Sequence, residues 1–171
     1  MFFLHDLKLK SDRTAEGTLV SFGGSDPYNL SYYFLKSEIP EDHKYTLNLG
    51  PLIPISSENL ASNITLVRSK TTRQFLDLLF SHQVILCSFG VTVYEALTLG
   101  KPVIAICSSK DHILSAQKIS ETSKHFYFIE KQTYLNNPDI IFDIVVGIKG
   151  KQSNWFMSSD INQASVREIC E

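Results

Sequence analysis

The chain has 171 residues, 43% of them hydrophobic and 20% charged, which suits one domain with a sizeable core and excludes a disordered chain. Its formal net charge of −2 offers no basic field to nucleic acid or an anionic membrane, so an anionic ligand would have to be held by local geometry. Cys87, Cys107 and Cys170 stand far apart with no CxxC and no Cys/His ligand spacing, which argues against a disulfide framework and a zinc site and fits a reducing cytoplasm. No apolar run approaches membrane-spanning length, and Met1-Phe2-Phe3-Leu4 runs too soon into His5-Asp6 for a signal peptide.

Residues 1–16 begin apolar and turn polar, and are expected to form a linker or the end of a connection between domains; a single domain is expected over 17–171. Thr18-Leu19-Val20-Ser21-Phe22 is a β-rich run ending at Gly23-Gly24. Asp26 before Pro27 predicts a helix with Asp26 as N-cap and Pro27 in its first position, Leu30, Tyr33 and Phe34 on one face, and Pro40 as terminator. Residues 45–49 predict a second strand, stopped by Gly50-Pro51, and 63–67 a third. Thr71-Thr72 caps a helix carrying Phe75, Leu78 and Leu79 on one face. A fourth strand at 84–87, a helix at 91–99 and a fifth strand at 103–107 complete a βαβ unit around Gly90 and Gly100-Lys101-Pro102. Lys110-Asp111-His112 opens a further helix with Leu114, Ala116 and Ile119 expected inward. Residues 126–129 predict a sixth strand, 139–146 a helix ending near Gly147, and Asp160 a cap for a last helix. Alternating apolar strands and helices with short turns predict a Rossmann-like, doubly wound α/β fold with a parallel sheet of about six strands.

Ligands of an open parallel sheet bind beyond the carboxyl ends of its strands, so the turns there carry the functional reading. Gly23, Gly24 and Ser25 form one such turn; glycine lets backbone approach a phosphate and Ser25 adds a hydroxyl, although a tight turn alone would also require glycine. The loop is neither GxGxxG nor a P-loop. Gly90, the Val91 and Thr92 amides and the Thr92 hydroxyl form the second turn, with Glu95 placed to accept hydrogen bonds from a vicinal diol. A lone Glu near a helix start is ordinarily a solvent-facing residue favoured by the dipole, and two glycine turns on one rim weigh against that plain reading. Asp111 and His112 form a third candidate, readable equally as sugar-hydroxyl ligands or as an N-cap beside a surface histidine. His5, His43, His82 and His125 lack an acid or cysteine at telling spacing, and Trp155-Phe156 reads as packing.

These blocks carry a family signature. Residues 19–27 (Leu-Val-Ser-Phe-Gly-Gly-Ser-Asp-Pro), 88–97 (Ser-Phe-Gly-Val-Thr-Val-Tyr-Glu-Ala-Leu) and Leu99-Gly100-Lys101-Pro102 resemble the C-terminal half of GT-B nucleotide-sugar enzymes. The nearest likeness is to the spore-coat-polysaccharide type, which includes the hydrolase that releases UDP from a 2,4-diacetamido-trideoxyhexose in pseudaminic acid synthesis. The lipid II-forming N-acetylglucosaminyltransferase is a more distant relative. The resemblance implies a UDP-sugar as substrate and no cofactor; no metal is expected, because the sequence has no Asp-x-Asp. Glu95 would bind the ribose, Gly90, Val91 and Thr92 would line the diphosphate, and Gly23, Gly24 and Ser25 would close on it from the other side. Asp111 or His112 would meet the sugar, and uracil would lie near residues 66–69. Phe89 stands where the family carries a small residue and Val91 where it carries Ser, so Phe89 is expected beside the phosphate pocket. The family's catalytic residues lie in an amino-terminal half not found in this sequence, which implies a partner half in cis or in trans in glycan biosynthesis in the cytoplasm. The competing expectation is a non-catalytic binding module that keeps the fold. A receiver-like domain would need an acidic cluster at the strand ends, which Asp26 alone does not make.

Overall fold

The computed structural model describes residues 15–55 and 60–152. The expected helix after Asp160, Trp155-Phe156, Cys170, His5 and most of the expected linker lie outside these residues. In order the elements are β1 (Thr18–Ser21), α1 (Leu30–Lys36), β2 (Tyr45–Asn48), β3 (Ile64–Val67), α2 (Thr72–Ser81), β4 (Val84–Ser88), α3 (Val91–Thr98), β5 (Val103–Cys107), α4 (Lys110–Thr122), β6 (Phe126–Glu130), α5 (Lys131–Asn136) and α6 (Ile140–Gln152). The six strands form one sheet in the order β3-β2-β1-β4-β5-β6, and every neighbouring pair is parallel. This is the Rossmann-like doubly wound arrangement expected from the sequence.

Residues along β1, β4 and β5 alternate between two cores. Val20, Leu86, Ile104 and Ile106 face Leu30 and Phe34 of α1, Tyr134 of α5 and Ile141 and Val145 of α6. Leu19, Ile85, Cys87 and Ala105 face Leu79 of α2, Val93 and Ala96 of α3 and Ala116 of α4. Strands covered on both faces read as unbroken apolar runs, which is why β4 and β5 are apolar throughout apart from Ser88. Cys87 and Cys107 are free, buried thiols pushed up to about 12 by burial, so they pack as small hydrophobes.

Several boundaries differ from expectation. Helix α1 starts at Leu30, not Pro27: Pro27 and Tyr28 form a turn closed by the Asn29 amide donating to the Asp26 carbonyl at 2.9 Å. Asp26 still caps the helix, from one turn earlier, because the Leu30 and Ser31 amides each donate to its carboxylate at 2.8 Å. The inward stripe of α4 runs through Ile113 and Ala116, leaving Leu114 58% exposed. Helix α5 is too short for periodicity to reveal, and α6 runs on through Gly147, a tolerated but unfavourable helical residue. The β2–β3 connection has no helix among the described residues. Instead Phe142 of α6 packs on Phe34 and Tyr45, with ring centroids 6.3 and 5.8 Å away.

Two histidines sit at the amino ends of the central strands. His43 is buried, its Nε2 2.8 Å from the Thr18 hydroxyl and its ring edge-on to Tyr45. His82 spans the Leu78 carbonyl and the Thr46 hydroxyl, at 2.7 and 2.8 Å. Burial lowers the pKa of both, that of His43 from 6.5 to about 4, with Lys149 adding to the shift and Asp42 and Glu16 opposing it. A depressed folded pKa means that the unfolded chain takes up the proton first as pH falls. Melting temperature is therefore expected to fall as pH drops from 6.5 to about 4, and His43→Gln to flatten that limb in a pH series of thermal melts.

Candidate functional site

The chain leaves β1 toward β2 and leaves β4 toward β5, in opposite directions across the sheet. A crevice must open between the two departing turns, beyond the Ser21↔Cys87 pair. Both glycine turns singled out in the sequence therefore stand side by side at the switch point. Gly23, Gly24 and Ser25 are exposed there. Gly23 has φ 87, a conformation that L side chains rarely adopt, and a Cβ on it would come no nearer than 3.9 Å to the Ser88 hydroxyl. Ser88 thus faces the glycine loop.

Opposite stands the start of α3. Its N-cap, Gly90, makes no side-chain cap and has open space around its α-carbon. The neighbouring helices are occupied in this respect. Asp26 takes the first amides of α1. The Thr71 hydroxyl accepts from the Gln74 amide at 3.2 Å, and the Ser109 hydroxyl from the His112 amide at 3.2 Å. Unpaired amides and the dipole together make the α3 start attractive to an anion. Thr92 and Glu95 are half-buried and three residues apart, hence neighbours on one side of α3. Burial raises the Glu95 pKa. Val91 and Tyr94 point outward, 71% and 52% exposed.

Phe89 does not take the place expected beside the phosphate turn. Its ring lies with the α2–α4 core, 6.3 Å from Tyr94, 6.4 Å from Phe126 and 5.1 Å from the His112 ring at a 31° tilt. The strand alternation explains this: Cys87 faces that core, Ser88 the other side and Phe89 that core again. His112 is held at this stack, its Nδ1 3.2 Å from the Ser108 hydroxyl. Asp111 is exposed in the first turn of α4, where Ser109 and not Asp111 is the N-cap.

Three residues to which the sequence assigns no part in the site build the rim. Asn48 is buried at the end of β2; its amide nitrogen donates to the Ser21 hydroxyl at 3.4 Å, and its oxygen accepts from the Ser69 amide at 3.0 Å. The Ser69 amide is thus engaged within the stretch near which uracil was expected, on the edge strand. Gly50 packs directly on Gly24. Arg68 donates to three carbonyls of the loop after β2. A polar Asn closing an apolar strand before Gly50-Pro51 is a signal that could have marked this rim.

A separate open groove lies at the opposite, amino-terminal rim, lined by Glu16, Glu41, Asp42, Lys44, Asn63 and His82 among others. Three carboxylates there suit an anion poorly, and the Lys44 ammonium is paired with Glu16 at 3.0 Å. The carboxyl rim, with the free start of α3, therefore suits an anion better. Among the described residues no cluster of His, Cys, Asp or Glu could hold a metal ion, and no helix is long and apolar enough to cross a membrane.

No protein-family profile matches the chain. It is similar to an uncharacterized protein of Methanocaldococcus jannaschii, 29% identical over an alignment of 146 positions that covers 74% of this chain and 29% of that protein. The chain thus spans less than a third of the length of this relative.

The Phe89 stack joins α3 to α4, so Phe89→Ala is expected to destabilise the protein by about 2 kcal/mol, below the full cost of a buried ring because Phe89 is only half-buried. Urea unfolding measures this; a change under about 0.5 kcal/mol, the range of an ordinary surface substitution, would contradict the packing role.

Proposed function

We propose that this chain is the donor-binding domain of a glycosyltransferase or nucleotide-sugar hydrolase, and that it holds a UDP-sugar at the β1/β4 switch point. The observation that carries the reading is the α3 start. Unlike α1, α2 and α4, α3 has no side chain on its first amides, and it opens beside the glycine turn. The diphosphate would lie between Gly23-Gly24-Ser25 and the amides of Val91 and Thr92, with the Thr92 hydroxyl as a further donor. Glu95, one turn into α3, would accept hydrogen bonds from the ribose hydroxyls. With His112 engaged by Phe89 and Ser108, contact with the sugar falls to Asp111.

The chemistry is cleavage at the anomeric C–O bond, with UDP as the leaving group, or at the adjacent P–O bond, with the sugar hydroxyl leaving and UDP as the other product. Backbone amides and the helix dipole stabilise the charge that develops on the leaving phosphate. An amino-terminal half, in cis or in trans, supplies the acceptor side and the catalytic residues. The relative's much greater length is compatible with such an additional domain.

Calorimetric titration with UDP tests the reading. Glu95→Ala is expected to weaken binding about tenfold, the scale of one or two lost hydrogen bonds to a charged group, with the thermal melt retained. Unchanged affinity removes the ribose assignment. Only the ionised carboxylate accepts from both hydroxyls, and the Glu95 pKa is raised by burial. Affinity should therefore fall on acidification, beginning above the ordinary carboxylate range, and Glu95→Gln should abolish that part of the pH dependence.

A further inference from the structure

We propose that Arg68 is a positioning residue for the glycine turn, acting through the loop that follows β2. The inference rests on the nucleotide reading above, and it concerns a residue at the far edge of the sheet whose side-chain hydrogen bonds go to the loop after β2.

Arg68 directly follows β3. Its Nη1 donates to the Gly50 carbonyl at 2.7 Å, and its Nη2 to the carbonyls of Ile53 and Ile55 at 2.6 and 3.2 Å. One guanidinium therefore gathers three backbone acceptors of a single loop. The planar fork of arginine can do this, and a lysine ammonium reproduces it poorly. The loop is tied at other points as well: the Leu49 amide donates to the Val67 carbonyl at 2.9 Å, the Ile53 amide to the Gly50 carbonyl at 3.2 Å, and the Ile53 side chain is buried in the α1–α6 core.

Gly50 passes this restraint on. A Cβ built on Gly50 would lie 2.6 Å from the Gly24 α-carbon and nearer still to the Gly24 carbonyl. The two backbones are thus in direct contact, and the obstacle is main chain, which cannot rotate aside. Gly24 has no neighbour within 4 Å of where its own Cβ would be, so that side is open while the side toward Gly50 is braced. The far end of the turn is fixed by the Asp26 carboxylate on α1 and by Tyr28, whose ring lies 3.8 Å under the Lys131 ammonium. The turn is held at both ends, and Arg68 sets the height of its middle.

Isotope-labelled protein with Arg68→Met tests this, read by the amide resonances of Gly23, Gly24 and Ser25 and by NMR titration with UDP and with uridine. The variant should shift those three amides, weaken UDP about tenfold and leave uridine affinity unchanged, because the resemblance puts uracil against the backbone of 66–69, the Arg68 guanidinium is committed to the loop after β2, and only the phosphates meet the turn. Gly50→Ala should give the same signature by pushing on Gly24 directly, and Arg68→Lys should recover only part of the UDP affinity. Unmoved Gly23–Ser25 amides in Arg68→Met, or equal losses for UDP and uridine, overturn the inference. Wild-type protein that binds no UDP overturns the nucleotide reading instead, and the amide shifts then decide alone whether Arg68 sets the turn.

Discussion

Strand β1 pairs in parallel with β4 through Thr18↔Val84, Leu19↔Ile85, Val20↔Leu86 and Ser21↔Cys87, although β2 and β3 lie between them in the chain. The pair is buried on both faces, so it holds by apolar contact with both helix layers as well as by its ladder. Its consequence is topological. With β1 crossing over to one side and β4 to the other, neither crossover helix covers the gap between their carboxyl ends. The crevice results from strand order, and both glycine turns lie at its edges for the same reason, with Gly23 facing the Ser88 hydroxyl.

Most of the polar side chains at this rim are engaged within the fold. Asp26 spends its carboxylate on α1, and Asn48 spends its amide on Ser21 and Ser69. His112 goes to the end of β5 and to Phe89, and Arg68 to the loop after β2. Unlike the starts of α1, α2 and α4, the start of α3 carries no side chain on its first amides, and Thr92 and Glu95 lie on one flank. A domain of net charge −2 can still attract an anion at such a point, because local amides and a dipole do not depend on the overall charge.

Much of this was legible in the sequence. Val84 to Cys87 and Val103 to Cys107 read as buried strands because both faces are covered, and the small-residue breaks between them located α3. Asp26 was readable as a cap from the Asp-Pro pair, but not the turn through Tyr28 that delays the helix to Leu30; positive φ at Asp26 and Asn29 has no strong sequence signal outside glycine. The path of Phe89 depends on which side of β4 each residue faces beyond its last ladder pair, which adjacency to Gly90 does not reveal. Arg68 and Gly50 act across strand neighbours far apart in sequence, and one sequence cannot supply that contact. Helix α5 was missed because six residues hold too little periodicity.

Amide mapping of the wild-type protein with UDP addresses the central claim directly, since it reports every backbone N–H at once. The account predicts the largest shifts at Gly90, Val91 and Thr92 together with Gly23, Gly24 and Ser25, on the two sides of the β1/β4 crevice. Saturable shifts centred instead on Glu16, Lys44 and Thr46 at the opposite rim, or no saturable shifts at all, would contradict it.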